Sequence, residues 1–289
     1  MIAVLRRINA ALEWLAPMTF ASAACLRGGR ACIWHPQKKR KIRAAQNAGH
    51  IDLRLLKGID RQANTLLDNT RRFARGLPAN NALLWGARGT GKRSLVKAVH
   101  AGVDKEQPGA LALIEIRRDD ISTLPQLLAI LRHVDQRCLL FCDDLSFNEH
   151  DPSYRSLKTV LEGGIEGQPE NVVFYATSNR RHLMPREMIQ EGRSTIVNPA
   201  EAVEEQVSLS DRFGLWLGFH AGDQATSLEI VEGYASYYRL DLPLNQLRSE
   251  ALAWSMVRDQ DALPGSSSRI LLADSANGWS NPPPVDVDS

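Results

Sequence analysis

Seven consecutive residues carry the densest chemistry in this sequence: Gly86, Ala87, Arg88, Gly89, Thr90, Gly91 and Lys92. The glycines let a backbone turn its N–H groups inward around an oxyanion, and the lysine after them adds a positive charge on a long stem. The apolar run Ala82-Leu83-Leu84-Trp85 before the loop reads as a strand, and the residues from Lys92 read as a helix. The positive end of that helix's dipole would face the same anion. Strand, glycine loop, lysine and helix together form the pattern of a phosphate-binding P-loop. The plainer alternative is a glycine-rich turn between two elements. One position departs from the pattern. The Ser or Thr whose hydroxyl would bind Mg²⁺ directly after the lysine is Arg93, and Ser94 comes one step later. One helical step is a rotation of about 100°, so Ser94 is expected to point away from a metal. The backbone and Lys92 would keep the phosphate contacts, while metal placement and hydrolysis are weakened.

Two further groups could act on a phosphate. Leu139-Leu140-Phe141-Cys142 reads as a buried strand, and it ends in Asp143-Asp144. At such a position Asp143 would hold Mg²⁺, directly or through water, and Asp144 would orient or deprotonate an attacking water. Strands also end in acidic loop residues with no such role. The second group is the strand-like run Val172 to Ser178, which ends in the amide of Asn179.

Positioning these groups requires an ordered set of elements. Apolar strands are expected at 82–85, 111–116, 138–142, 172–177 and 215–219. Amphipathic helices are expected at 60–74, 92–101, 124–133 and 153–161. Strands that are apolar throughout and alternate with helices predict an α/β fold with a parallel five-stranded sheet in three layers. Beyond Phe219 the pattern is helical only, at 224–238 and 244–257, which predicts a small helical lid. The expected organisation is a basic N-terminal arm with a short amphipathic helix (1–50), a core (51–220), a lid (221–258) and a disordered tail (259–289).

The chain has 289 residues, 44% hydrophobic and 24% charged, which excludes a chain disordered throughout. Its net charge of +2 conceals an asymmetry. Met1 to Arg75 hold 15 Lys and Arg against 4 Asp and Glu, and the remainder holds 20 against 29. Such a basic segment is usually a solvated arm and less often a nucleic-acid contact. Four cysteines in a chain of this length do not make a disulfide scaffold. Cys25 and Cys32, with His35 nearby, lack a second Cys/His pair at zinc-ligand spacing, so they read as two thiols in a loop. No apolar run reaches the roughly 18 residues of a membrane span, and the expected location is the cytoplasm.

The order P-loop, acidic strand, then a strand ending in Ala176-Thr177-Ser178-Asn179 resembles an AAA+ ATPase. Five segments are similar more narrowly to the bacterial domain-of-unknown-function family 815, predicted AAA+ ATPases. They are Gly58 to Gln62, Leu83 to Lys92, Phe141 to Phe147, Tyr175 to Pro185 and Ser208 to Leu217. The similarity covers about 51–258. It implies ATP and Mg²⁺ as ligands, held on Gly86 to Ser94, with Ile59 lining the adenine pocket. It implies that Asn179 senses the γ-phosphate. It also implies that Arg212 is an arginine finger completing a neighbouring subunit's site in a homo-oligomeric ring; an ion pair within the chain is the alternative. Arg180 and Arg181 are further finger candidates.

The stretch before Ile51 fits the family poorly, and 259–289 do not look like a lid ending. Codons chosen for Asp259 to Gly278 and read one base earlier encode an amphipathic, lid-like run. The tail is therefore read as a frameshift product and the lid as truncated. Three functions are consistent with these residues: an ATPase that remodels an unknown macromolecular partner, an ATP-binding switch or scaffold with little hydrolysis, and a nucleic-acid-associated loader that uses the basic arm.

Overall fold

The structure, a computed structural model, describes residues 24–26, 28, 30–38, 41–45, 49, 51–147, 151–162, 167–181, 183, 212–220, 222–240 and 242–258. The expected N-terminal helix, the tail beyond 258 and the segment 184–211 lie outside these residues. The chain forms two compact units. The first comprises 1–53, 59–86 and 92–219, and the second 54–58, 87–91 and 220–289.

Among the described residues, the first unit is built on one sheet of seven strands. They are β1 (Ala31–Trp34), β2 (Ile42–Ala44), β3 (Ala82–Gly86), β4 (Leu111–Ile116), β5 (Arg137–Cys142), β6 (Val172–Ser178) and β7 (Leu215–Phe219). The order across the sheet is β2-β1-β4-β5-β6-β3-β7. Every pairing is parallel except β1 with β2. The five strands expected from apolar runs are all present and adjacent, so the count of five is corrected to seven.

Both additional strands come from the segment read as a basic arm. They are four and three residues long, too short for a period to show in sequence. Their order comes from tertiary pairing. Cys32 lies opposite Ile114 on β4, and Trp34 is fully buried with its indole N–H donating to Thr123 Oγ1 at 2.8 Å. The same pairing places Cys32 in a buried strand rather than a loop. Its Sγ lies 2.8 Å from that of Cys25, and burial raises its pKa. Among the described residues, no group of three or more His, Cys, Asp or Glu is placed to hold a metal ion.

Helices cover both faces of the sheet. Alternate strand residues such as Ala112, Ile114, Leu140, Cys142, Phe174 and Ala176 join one core with α3 (Leu124–Leu131) and α4 (Pro152–Leu161). The opposite face meets α1 (Asp60–Ala74) and α2 (Lys92–Glu106). Helix α2 runs past its expected end at Ala101, through Gly102 to the turn before Pro108-Gly109.

A polar network joins α1 to β6. Asn69 Nδ2 donates to Tyr175 Oη at 2.8 Å and to the Asn80 carbonyl at 2.8 Å, while Asn69 Oδ1 accepts from Asn80 N at 2.9 Å. Thr70 Oγ1 gives its single proton to Leu66 O, so its 2.9 Å contact with Tyr175 must accept the phenol proton. Tyr175 and Thr70 are fully buried, and burial pushes the Tyr175 hydroxyl up to about 12.

In the second unit α5 (Gln224–Tyr237) packs on α6 (Leu244–Arg258) through Val231, Ala235, Leu247 and Ala251. Asp223 caps α5 by accepting from Thr226 N at 2.8 Å. No helix among the described residues is long and apolar enough to cross a membrane.

Candidate functional site

The strand order dictates where the chemistry collects. In a parallel sheet all strands end on the same side, so the residues after β3, β5 and β6 converge at one edge. Within the first unit those residues are Gly86, which opens the glycine loop, Asp143-Asp144 and Asn179.

Gly86 ends β3 at φ 135°, and a Cβ there would lie 1.8 Å from the Phe219 carbonyl oxygen on β7. Only glycine allows the two strands to pair at this point. Gly89 and Gly91 also have positive φ, at 76° and 84°. Thr90 Oγ1 donates to Ala87 O at 2.9 Å across the loop, and Arg88 is exposed. Lys92 is 7% exposed, and its ammonium donates to Gly86 O at 2.9 Å. Burial lowers its pKa, and Asp143 and Asp144 act in the opposite direction. Lys92 is thus held in a confined place at the end of β3.

At the ends of β5 and β6 a single hydroxyl organises the acids. Thr177 Oγ1 donates to Asp143 Oδ1 at 2.6 Å and accepts from Asp144 N at 2.9 Å. Leu145 N donates to the Thr177 carbonyl at 2.7 Å. The chain turns so sharply here that Asp144 has φ 53°, a left-handed conformation that Asp tolerates better than most residues. The turn aims the carboxylate at Asn179, whose Nδ2 donates to Asp144 Oδ1 at 2.7 Å. Two residues chosen from separate sequence motifs are therefore in direct contact.

Arg93, the residue that departs from the P-loop pattern, is engaged by two acids. Its Nη1 lies 3.3 Å from Asp143 Oδ2 and its Nη2 3.2 Å from Glu115 Oε1. Glu115 is paired across the sheet with Phe141, two residues before Asp143, so both acids stand on one face of neighbouring strands. Lys97, one helical turn after Arg93, places Nζ 3.2 Å from Glu115 Oε2. Glu115 and Lys97 went unnoticed in sequence because nothing in their neighbourhoods signals that β4 and α2 meet here. Ser94 is half-buried on α2.

These residues do not fit the Mg²⁺ ion that this kind of site implies. The hydroxyl position after Lys92 is a guanidinium, and that guanidinium is bonded to the carboxylate that would ligate the metal. A dication on Asp143 would face a fixed positive charge a few ångströms away.

Ile59 is buried at the N-terminus of α1, where its carbonyl accepts from Ala63 N at 2.8 Å. Arg212 Nη2 lies 3.4 Å from Glu162 Oε1, an ion pair within the chain. Both partners are partly exposed, and a pair of this kind is worth at most about 1 kcal/mol, little hindrance to another role. Arg181 lies over the Trp85 ring at 5.4 Å.

The profile of a protein family of unknown function, DUF815, matches residues 28–269. The chain belongs to that family. The match is wider at both ends than the 51–258 that the motifs carried, and it takes in β1 and β2, so the segment from 28 onward is family sequence. No curated protein is similar to the chain in sequence. Among solved structures, Aeropyrum pernix ORC2 in ADPNP–ADP complexes shares 15% identity over 78% of this chain and 65% of its own, with a TM-score of 0.51. A Thermotoga maritima RuvB variant shares 16% over 74% of this chain and 59% of its own, at 0.49. The FIGL-1 AAA domain in complex with ADP shares 16% over 70% and 67%, at 0.46. The chain thus spans less than two thirds of the RuvB and ORC2 chains it matches. The ORC2 likeness shows the fold, that of an AAA+ P-loop NTPase.

Proposed function

We propose that this DUF815 protein is a cytoplasmic nucleotide-binding switch. An adenine nucleotide occupies the Gly86–Lys92 segment, and its presence alters contacts with a macromolecular partner, with slow hydrolysis or none. The observation that carries this reading is the Arg93–Asp143 ion pair at 3.3 Å. It leaves Lys92 and the loop to bind phosphate while engaging the acid on which turnover would depend.

A second reading is favoured by one contact, Asn179 Nδ2 to Asp144 Oδ1 at 2.7 Å. An amide and a carboxylate held this way can orient a water molecule, as a slow ATPase driving remodelling would need. In that reading Arg212 releases Glu162 and completes the site of the next subunit in a ring.

Binding, steady-state turnover and molecular size, each measured with and without ATP, separate the two. For the switch, the wild type binds ADP and ATP with turnover at least tenfold below that of Arg93→Ser. High wild-type turnover that Arg93→Ser leaves unchanged overturns it. Assembly on ATP that Arg212→Ala abolishes supports the ring.

A further inference from the structure

We infer that Arg93 takes the place of the divalent cation in this chain, so that nucleotide phosphates bind with a tethered guanidinium as counter-charge and without Mg²⁺. This rests on the nucleotide reading above and adds the chemistry of recognition to it.

The argument starts from two carboxylates. Asp143 and Glu115 project from one face of adjacent strands, β5 and β4, at the same end of the sheet. Like charges so placed repel, and a cation between them relieves the repulsion. In most settings of this motif such a cation is free to exchange with solvent. Here it is covalently part of α2. Arg93 bridges the pair with contacts of 3.3 Å to Asp143 and 3.2 Å to Glu115, and Lys97 takes the second oxygen of Glu115 at 3.2 Å. Thr177 takes the second oxygen of Asp143 at 2.6 Å. All four carboxylate oxygens therefore have partners on the chain.

The guanidinium suits the role in two further ways. It presents five N–H donors in a rigid fork, of which the two acids use only part. Its side chain is 55% exposed, so donors remain accessible to a phosphate oxygen. It also directly follows Lys92 in the first turn of a 15-residue helix, beside the residue read as the main phosphate contact. A metal-bound nucleotide would bring a second cation to this place, and the repulsion between that cation and Arg93 would offset part of the attraction of the phosphates. The chain should accept the metal-free nucleotide at least as well as the metal complex.

Calorimetric titration of the full chain with ADP and with ATP, in excess EDTA and in excess Mg²⁺, tests this. Wild-type affinity in EDTA is expected to equal or exceed that in Mg²⁺. The Arg93→Ser variant, which restores the metal-binding hydroxyl, is expected to bind at least tenfold more tightly with Mg²⁺ than without. Wild-type affinity that falls more than threefold in EDTA overturns the inference while leaving the nucleotide reading intact. So does an Arg93→Ser variant that is folded by circular dichroism yet indifferent to Mg²⁺. Absence of binding under both conditions overturns the nucleotide reading and this inference with it. The wild-type comparison stands even if the variant does not fold.

Discussion

Two polar clusters on the same side of the same sheet serve opposite ends. Asn69, Thr70 and Tyr175 form a neutral network sealed between α1 and β6, with Tyr175 and Thr70 fully buried. Arg93, Glu115, Asp143 and Lys97 form a charged array at the strand ends, with exposures of 55%, 27%, 31% and 22%. In the first cluster the donors and acceptors find one another and water is excluded, so loss of a member strands the rest. In the second, solvent can replace any partner, so the array contributes little to folding and remains available for a ligand. A buried neutral network fixes structure, whereas a half-exposed charged one holds charge in readiness.

The largest effect on stability is expected from Tyr175→Phe. It strands an Asn69 N–H and the Thr70 acceptor in the interior, at a cost of about 2 kcal/mol in urea denaturation at neutral pH. The same phenol produces an alkaline signature. Its proton is held to about 12 in the fold against 10 for the free group. The stability it confers is full below pH 10 and is lost as pH rises toward 12, because unfolding releases a group that ionises more easily. Tyr175→Phe lacks that loss, so the gap between the two proteins should narrow over this range. A gap that stays constant would mean the hydroxyl is not sealed from water.

Asn69→Ala ranks next, at about 1.5 kcal/mol, since the exposed backbone of Asn80 regains water as a partner. Arg93→Ser should change the unfolding free energy from the same denaturation by no more than about 0.5 kcal/mol, while changing nucleotide binding most. A stability loss from Arg93→Ser as large as that from Tyr175→Phe would erase the distinction between the clusters.

The two clusters also differ in how far they could be read from sequence. Asp143, Asp144, Asn179 and Lys92 each follow a buried run or a glycine loop, and these local patterns survive in a single chain. Thr177 was visible as part of β6, but its hydroxyl bridge to Asp143 depends on β5 and β6 being neighbours. Strands β1 and β2 were missed because three or four residues in a basic context carry no period.

By itself the sequence determined the five strands β3 to β7, the helices between them and the list of groups at the strand ends. The physical reason is that burial on both faces demands continuous apolar runs, and backbone turns demand glycine at fixed positions. Only the tertiary structure decided which cation meets which acid. Arg93, Glu115 and Asp143 lie far apart along the chain, and no local rule says that β4 and β5 will stand side by side under α2. Once they do, Coulomb attraction over 3.2–3.3 Å makes the pairing, and a residue that looked like a missing metal ligand becomes the occupant of the metal's place.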